Sequence, residues 1–576
     1  MRRWRGVVAS VALLAGVVAP VVASVVSPTA AFAANGVVLN GNDSGAGSLR
    51  QAIANAAAGD VITFAWGVTP VVLTSGPIHI DKDLTIRGNG AANTAITRSS
   101  SPQTLPFGVI VVDDNVTATI DMVTVSGGVA AQGGGIFNDG TLTLSRSTVS
   151  NNQGANANGD VNGAGIYNKF NDTMTITNSV IQNNTALNVA NGSAFGGGVY
   201  NDGGGTLSIA NSLISNNQIS GNGAFGGGIE DEGNTVTITD TVVMGNTTTS
   251  TTLGGNAEGG GIRHVALSPT LTLSNSIVRS NTAAAADPAS SPTGDAQGGG
   301  LYLGRSANID RSEISGNTAS GGVEAEGGGL YVLGSTIVSV TNTTIANNTA
   351  ATDGGALYAG TSPNVSLLSV TVAANTTAGA AIDVDTSTLS EQDTIVYNPT
   401  SAHNCSGTIT DQGNNLVFGE TTPTCPGINQ DPVLGSLGDN GGASLTMALG
   451  QGSHAIDGGA NCPAVDQRNY QRVGTCDIGA FDAGGVLPDV AKPVCQMVGV
   501  EATNTKKQNV TVTDAGRGLQ SVTPTATNAS VVVPFFLPRT NMPVTITAVK
   551  VNQVASSSWS FNATDAGAPA NTRLCT

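Results

Sequence analysis

The sequence predicts an all-β protein whose main body is a parallel β-helix, a solenoid of short strands stacked coil upon coil. Three repeated features predict it. A glycine cluster followed by an aliphatic residue occurs eight times, each cluster precedes a segment of alternating apolar and polar residues, and each such segment leads to an asparagine. The clusters begin at Gly133, Gly163, Gly196, Gly226, Gly259, Gly298, Gly327 and Gly354, and the asparagines are Asn152, Asn184, Asn217, Asn246, Asn281, Asn317, Asn348 and Asn375.

The repeat length and the alternation together select this fold. The first glycines lie 27 to 39 residues apart, too close for propeller blades. Segments such as 141–144 and 174–177 alternate with the period of two that is typical of half-buried strands. Such coils would stack at the roughly 4.8 Å spacing of paired strands, with glycines at sharp corners. We expect the asparagines to adopt left-handed backbone angles at a turn and to hydrogen-bond from coil to coil.

The composition excludes several classes of protein. Charged residues make up 11% of the chain and aromatic residues 4%, whereas 77 residues are glycine. This profile favours strands and tight turns over long charged helices. With 22 Lys and Arg against 39 Asp and Glu, the formal net charge is −17. We therefore expect neither nucleic acid nor an anionic membrane surface as a partner.

The amino-terminal residues predict export. Arg2, Arg3 and Arg5 precede an apolar stretch at residues 7–26, and Ala31-Phe32-Ala33 fits the small-x-small pattern of signal-peptidase sites. Residues 1–33 are therefore predicted to be a signal peptide, so that the mature chain has no membrane span and is secreted or held at the cell surface.

The six cysteines agree with export. All of them follow residue 404, and none forms the close C-x-x-C pair of a zinc site. Six cysteines allow fifteen pairings, of which we favour the pairing of neighbours. The favoured disulfides are Cys405–Cys425, Cys462–Cys476 and Cys495–Cys575.

Residues 34–110 are predicted to cap the solenoid and form its first coils. Ser48-x-x-Gln51 fits a capping box, and an apolar face predicts a short lid helix before Gly59. Strands are expected at 61–64, 71–73 and 84–86. The stretches 47–53, 59–64 and 83–88 resemble the start of secreted bacterial right-handed β-helix proteins of the CSLREA-motif type, although the leading cysteine of that motif is absent. The resemblance implies a right-handed, single-stranded solenoid of the pectin lyase-like fold, with repeats over 111–430.

Two further resemblances concern the segments after the repeats. Residues 431–483 are similar to the choice-of-anchor Q domain, and we expect this segment to close the solenoid. The similarity rests on Asp431-Pro432-Val433-Leu434-Gly435, Asp439-Asn440-Gly441-Gly442, Ala455-Ile456-Asp457-Gly458-Gly459, Asp466-Gln467-Arg468 and Cys476-Asp477-Ile478-Gly479-Ala480-Phe481. It implies extracellular placement and no reaction, and we expect a structural ion pair in 466–468. After a linker at 484–493, residues 494–576 resemble a small immunoglobulin-like β-sandwich.

The residue after each repeated aliphatic should point outward, and these residues form the candidate binding site. Two interpretations of this column remain open: an aromatic stack that stiffens the solenoid, or a stripe of exposed rings that binds an extracellular polysaccharide or cell-surface glycan. The predicted ligand-binding residues are Phe137, Tyr167, Tyr200, Tyr302, Tyr331 and Tyr358.

Charged residues interrupt the column and carry the enzymatic alternative. In a Ca²⁺-dependent polysaccharide lyase or hydrolase that resembles the β-helix lyases, Asp231, Glu232 and Glu258 would hold the cation. The other catalytic candidates are Arg263, Lys169 and Glu230. We favour salt bridges of Glu230 with Arg263 and of Asp231 with His264. The preferred prediction is a non-catalytic adhesion or carbohydrate-recognition protein without a cofactor, and a structural surface spacer is the third possibility.

Overall fold

The computed structural model describes residues 36–576 apart from 158, 190–191, 252–253, 266–269, 287–293, 421–423, 487–493, 502–503, 514–518, 528, 537–543, 551–557, 566–571 and 576. The predicted signal peptide, residues 1–33, and most of the predicted linker lie outside the described residues. The described chain is a right-handed parallel β-helix followed by a segment along its flank and by a small antiparallel domain.

Three long parallel sheets form the walls of the solenoid, in the chain order C, A, B within each coil. Sheet A consists of Gly36–Val38, Asp60–Phe64, Leu84–Arg87, Thr117–Asp121, Thr141–Ser145, Thr173–Thr177, Thr206–Ala210, Thr235–Thr239, Leu271–Ser274, Ala307–Asp310, Ile337–Thr341, Asn364–Leu368, Thr388–Gln392 and Ile409–Asp411. Sheet B consists of Val71–Leu73, Ala95–Arg98, Thr124–Ser126, Thr148–Ser150, Val180–Gln182, Leu213–Ser215, Val242–Met244, Ile277–Arg279, Glu313–Ser315, Thr344–Ala346, Thr371–Ala373, Ile395–Tyr397, Leu416–Phe418 and Ile428–Asn429. Sheet C consists of Ile78–Ile80, Ile110–Val112, Ile136–Asn138, Ile166–Asn168, Val199–Asn201, Ile229–Asp231, Ile262–His264, Leu301–Leu303, Leu330–Val332, Leu357–Ala359, Ala380–Val384 and His403–Ser406.

Alternation within each strand fills the core. Leu142 and Leu144 of one sheet A strand stack on Met174 and Ile176 of the next, and all four are fully buried. Burying such side chains contributes about 1.5–3 kcal/mol each. The same apolar column continues through the coils, so that one core runs the length of the solenoid.

Two shorter parallel sheets form a lobe that the repeat pattern did not predict. Sheet D consists of Val129–Ala130, Gln153–Gly154, Thr185–Val189, Gln218–Gly221, Thr247–Ser250, Thr282–Ala285, Thr318–Gly321 and Thr349–Ala350. Sheet E consists of Val161–Asn162, Ala194–Phe195, Ala224–Phe225, Ala257–Glu258, Ala296–Gln297 and Ala325–Glu326. We call the pair the fin. Small residues such as Ala296 and Ala325 fill the space between its sheets, so the fin is thin.

The glycine clusters make the corner between sheets E and C. Gly196, the first of its cluster, has φ +62°, and a Cβ atom there would lie 2.5 Å from the carbonyl oxygen of Val199. A side chain at this position would therefore be strained and would clash. The predicted role of these glycines at sharp corners is confirmed.

An asparagine ladder runs along the turn after sheet B. The side-chain amide of Asn217 donates to Asn246 Oδ1 at 2.9 Å, and that of Asn246 donates to Asn281 Oδ1 at 3.0 Å. The ladder connects all eight predicted asparagines and continues to Asn398 and Asn404. One part of the prediction is wrong: the left-handed angle belongs to the residue before the ladder position, such as Asn216 with φ +53°.

Helix α1 (Leu49–Asn55) covers the first coil as predicted. Leu49, Ala52 and Ile53 join the solenoid core, and Ser48 Oγ accepts a hydrogen bond from the Gln51 amide. Only half of the predicted capping box forms, because the Gln51 side chain donates to Asn55 Oδ1 at 2.8 Å. The described residues contain no helix with the length and apolar character needed to span a membrane.

Residues 431–483 lie along the outer face of sheet B, beside the last coils. Met447 packs on Ala346 and Ala373, and the Ala480 amide donates to Thr371 Oγ1 at 3.0 Å. The segment contains an antiparallel pair, Leu434–Gly438 with Thr446–Leu449. These contacts place the segment against sheet B, and its closing of the solenoid remains a prediction. Asp466 and Arg468 form the expected buried ion pair, at 2.7 Å.

The remaining strands form two antiparallel sheets that enclose a separate core around Val512, Ile546 and Phe561. One sheet consists of Val494–Glu501, Asn504–Thr513, Val544–Lys550 and Ala529–Val532, and the other of Leu519–Thr527, Ser558–Asp565 and Thr572–Cys575. A small sandwich is thus present, as predicted. The pairings Cys405–Cys425, Cys462–Cys476 and Cys495–Cys575 are confirmed, and three disulfides indicate an oxidising, extracellular environment.

Candidate functional site

The second residues of eight sheet C strands form a column along the outer face of the solenoid, which we call the ring column. Its members are Phe137, Tyr167, Tyr200, Glu230, Arg263, Tyr302, Tyr331 and Tyr358, and the strand register aligns them one per coil, as predicted. Neighbouring rings are in contact. The ring centroids of Tyr302 and Tyr331 are 5.1 Å apart, and those of Tyr331 and Tyr358 are 5.2 Å apart.

The rings do not present their faces to solvent. Tyr167, Tyr200, Tyr302 and Tyr331 expose only 4%, 6%, 7% and 5% of their surface. The cover is sheet E of the fin, from which Phe195 stacks on Tyr200 with a centroid distance of 5.8 Å. The expected exposure is therefore wrong for these four tyrosines, whereas Phe137 and Tyr358 at the two ends of the column are half-buried. The contacts between the rings fit the aromatic stack of the other interpretation.

The hydroxyl groups of the tyrosine rings donate hydrogen bonds to carboxylates near the surface. Tyr167 Oη donates to Asp202 Oδ2 at 2.6 Å, and Tyr200 Oη donates to Glu232 Oε2 at 3.2 Å. Burial and the neighbouring carboxylates raise the pKa of both phenols, so both remain protonated donors. Asp202 and Glu232 are half-buried and keep oxygen atoms available to solvent or to a ligand.

Two charged residues, Glu230 and Arg263, replace the rings in the middle of the column, and Glu232 and Glu258 lie beside them. We call these four residues the charged cluster. Arg263 Nη1 donates to Glu230 Oε1 at 2.6 Å, and Arg263 Nε donates to Glu258 Oε2 at 2.5 Å. The guanidinium also lies 4.6 Å from the ring centroid of Phe225 and 5.4 Å from that of Tyr302. The cation thus stacks between two rings and continues the column as a ring would. The predicted cross-coil salt bridge is confirmed.

Negative charge exceeds positive charge in the charged cluster. Three carboxylates share one guanidinium, and Glu232 Oε1 is 4.0 Å from Arg263 Nη1. Glu230 is fully buried, and its Oε2 atom has no hydrogen-bond partner among the described residues. Burial raises the pKa of Glu230 to about 8 in spite of Arg263. A buried charge is expensive unless it is fully paired, so this carboxyl group is held mainly in its neutral form at neutral pH.

Asp231 and His264 lie on the other face of sheet C, inside the solenoid. Asp231 Oδ2 is 2.6 Å from His264 Nδ1, which confirms the predicted pair, and both side chains are fully buried. The pair ends a row of inward amides, in which Asn168 donates to Asn201 and Asn201 donates to Asp231, each at 2.7 Å. These groups are structural neighbours of the site and do not face it.

The residues of the lyase alternative are not arranged for that chemistry. Asp231 points inward while Glu232 and Glu258 lie outside, because successive strand residues face opposite sides of a sheet. Within the described ranges, no group of three or more His, Cys, Asp or Glu side chains is placed to hold a metal ion. The three carboxylates therefore do not form the predicted calcium site.

The two candidate bases are also engaged. Arg263 is buried, which lowers its pKa, but the charges of Glu230 and Glu258 outweigh burial and raise it above the ordinary value. Lys169 donates to Asp139 at 2.6 Å, and this hydrogen bond raises the pKa of Lys169. A general base must lose its proton near the working pH, and both pairings oppose that.

A second acidic region lies at the carboxyl-terminal end of the ring column. Burial and the nearby charge of Glu324 raise the pKa of Glu326 to about 8, and Asp353 and Asp295 add to the same effect. The Tyr358 phenol, which bonds to Glu326, has Asp385 and Asp383 close by. Carboxylates lie along the whole ring column, and we call this set the acidic strip: Asp139, Asp202, Glu232, Glu258, Glu326, Asp353, Asp383 and Asp385.

Sequence reasoning missed the residues of the fin that complete the site. Phe195, Phe225, Gln297 and Glu326 each face the ring column from sheet E, and Gln297 Nε2 donates to Tyr331 Oη at 3.0 Å. A signal was present, because each of these residues immediately precedes the first glycine of a cluster. Their positions are as periodic as those of the tyrosines.

The chain was compared with protein-family models, with curated proteins and with solved structures, and none of the three comparisons found a match.

Proposed function

We propose that this chain is a non-catalytic, secreted or cell-surface protein that binds an extracellular polysaccharide along the acidic strip, in the manner of an adhesin. The observation that carries this proposal is the row of carboxylates and phenol hydroxyls that follows the solenoid axis. Asp202 and Glu232 lie on successive coils, are half-buried, and each accept a hydrogen bond from the Tyr200 hydroxyl group. A linear polymer lying along the axis would meet carboxylates on most of the coils.

The mode of binding differs from the one first expected. Because most of the ring faces are covered, sugar hydroxyl groups would donate hydrogen bonds to the carboxylates of the acidic strip. The stacked rings would hold those carboxylates in place. The rigid solenoid pre-organises the row, since Asp202 and Glu232 directly follow strands that are paired on both sides. Pre-organisation reduces the ordering cost of binding.

The accessory segments fit an extracellular role. We infer that residues 1–33 are a signal peptide, that residues 431–483 are a choice-of-anchor Q domain, and that residues 494–576 are an immunoglobulin-like module. The support is the motif similarity, together with the disulfides Cys462–Cys476 and Cys495–Cys575 in the two modules. The solenoid would then serve as the binding part and the modules as its attachment.

The test is sedimentation of the mature chain with insoluble polysaccharides and a glycan array. The Asp202→Ala/Glu232→Ala variant should lose at least tenfold in affinity, since each lost hydrogen bond to a charged group is worth about 1.5–3 kcal/mol. The matched control is Asp81→Ala/Asp310→Ala, which removes the same charge at exposed positions away from the strip. Equal loss in both variants, or binding of the wild type to no glycan, would contradict the proposal and favour a structural spacer.

The same protein should be incubated with a uronate-rich panel and Ca²⁺ while the absorbance of unsaturated products is followed. We expect no turnover. Turnover that Arg263→Ala abolishes would replace the binding proposal by the lyase alternative.

A further inference from the structure

We propose that the polysaccharide bound by the acidic strip carries free amino groups, so that its ligand is a linear, positively charged aminoglycan. This inference rests on the proposed function and names the class of ligand. Its starting point is the charge of the strip itself. Along the ring column the cations that face the strip are Lys169 and Arg263, and both are already paired with carboxylates.

The buried part of the charged cluster gives an independent reason. Glu230 Oε2 lies behind Arg263, fully buried and without a hydrogen-bond partner among the described residues. A native structure rarely leaves a buried acceptor unpaired unless the group has another role. With Glu230 neutral, the carboxylates of Glu232 and Glu258 share one guanidinium, so the cluster lacks one positive charge, and an ammonium group beside Glu232 would supply it.

Within the described part of the chain, no Lys or Arg forms a salt bridge with a carboxylate at the Glu326 end of the strip. The groups that act on Glu326 are Glu324, Asp353 and Asp295, which repel its charge, and the Tyr358 phenol, which donates to it. Like charges held together in this way raise the pKa of the buried member. A ligand with ammonium groups would relieve the repulsion and allow the carboxyl group to ionise.

The spacing of the strip favours a sugar polymer over a basic peptide. Coils repeat at roughly 4.8 Å, the spacing of paired strands. One β-1,4-linked pyranose unit has a similar length, and successive units are turned by about half a rotation, so the amino groups on one side of an extended chain recur at about every second coil. An extended peptide rises by about 3.3 Å per residue, and its side chains on one side are therefore about 6.6 Å apart. Lysine side chains would fall out of step with the coils after a few residues.

Binding should be coupled to proton release. Glu230 and Glu326 hold protons up to a pKa of about 8, and a bound ammonium group favours their ionised form. Affinity should also fall with added salt, because the attraction between exposed charges is screened. Both effects are absent if hydroxyl groups alone bind.

The experiment is isothermal titration calorimetry of the mature chain with four probes of equal length or charge. These are β-1,4-linked glucosamine oligomers, their fully N-acetylated counterparts, oligogalacturonate and oligolysine. We expect the glucosamine oligomers to bind at least tenfold more tightly than each of the other three. The heat of binding should depend on the ionisation heat of the buffer, which reports the released protons.

Two variants separate a site from general attraction to an acidic protein. Glu326→Gln/Asp353→Asn should weaken binding of the glucosamine oligomers by at least tenfold. The control Asp81→Asn/Asp310→Asn removes two carboxylates away from the strip and should leave the affinity within twofold. Equal weakening in both would overturn the inference.

The outcomes distinguish failure of the amino-group inference from failure of the proposed function. If N-acetylated oligomers or oligogalacturonate bind as tightly as the glucosamine oligomers, the amino-group inference fails while glycan recognition stands. If oligolysine binds more tightly than the glucosamine oligomers, the ligand is a basic peptide and the inference is overturned. If none of the saccharides binds, both proposals fail.

Discussion

The asparagine ladder and the ring column both place one side chain per coil, but they differ in how completely their polar groups are paired. In the ladder, Asn246 donates to Asn281 and accepts from the backbone and side chain of Asn217. Every coil repeats the same amide geometry. In the ring column, the pattern breaks at Glu230 and Arg263, and an unpartnered buried oxygen remains. Uniform pairing builds the solenoid, whereas the interruption leaves a buried carboxyl oxygen without a partner among the described residues.

The largest effect should come from removing the only cation of the charged cluster. Arg263→Met leaves Glu230 and Glu258 buried without a counter-charge, and this should cost about 3–5 kcal/mol in the free energy of unfolding. Chemical denaturation at pH 8 measures it. The double variant Glu230→Gln/Arg263→Met should recover a large part of the loss.

The matched control is Arg311→Met, whose ion pair with Asp310 is partly exposed and should matter by less than about 1 kcal/mol. If Arg263→Met were as mild as this control, the interruption of the column would be a surface feature, and the contrast with the ladder would disappear.

The ladder should respond to a single break by a somewhat smaller amount. Asn246→Ala removes the acceptor of the Asn217 backbone amide and side-chain amide, both of which are buried. Leaving buried donors unpaired costs about 1–3 kcal/mol each, so we expect a loss of about 2–4 kcal/mol in chemical denaturation. Asn308→Ala, at an exposed strand position, should change stability by less than about 0.5 kcal/mol. Similar losses at the two positions would show that the ladder is not a source of stability.

The two regions should differ most clearly in their dependence on pH. Glu230 and Glu326 have folded-state pKa values raised to about 8 from 4.5. Between these values the folded chain holds protons that the unfolded chain has lost, so stability should fall as the pH rises from about 5 to 8. Glu326→Gln should remove part of this fall in stability. Thermal unfolding across that pH range measures it.

The ladder has no titrating group, so Asn246→Ala should lower the whole pH curve in parallel. Asp81→Asn, at an exposed position away from the strip, is the control for Glu326→Gln and should leave the slope unchanged. An unchanged slope in Glu326→Gln as well would mean that its carboxyl group is normally hydrated.

The sequence predicted the coils because their chemistry repeats. The glycine clusters, the alternating strands and the asparagines recur at matching positions, and the register of the ring column followed from them. The sequence did not predict the fin, because its strands are too short to show an alternating pattern. Examples are Ala194–Phe195 and Ala257–Glu258. The burial of Tyr200 and Tyr331 depends on the fin, so their exposure was predicted wrongly. The salt bridge of Glu230 with Arg263 was predictable, because a parallel register places them side by side.

The location of the disulfides has a consequence for how the molecule matures. All three crosslinks begin at or beyond Cys405, and no cysteine precedes that residue. The solenoid before Cys405, including the fin and the acidic strip, therefore contains no disulfide. Its coils can complete their hydrogen bonding before any oxidant acts, whereas the modules that follow depend on redox conditions for their covalent closure. Reduction should loosen the segments that follow Cys405 and leave the earlier coils assembled.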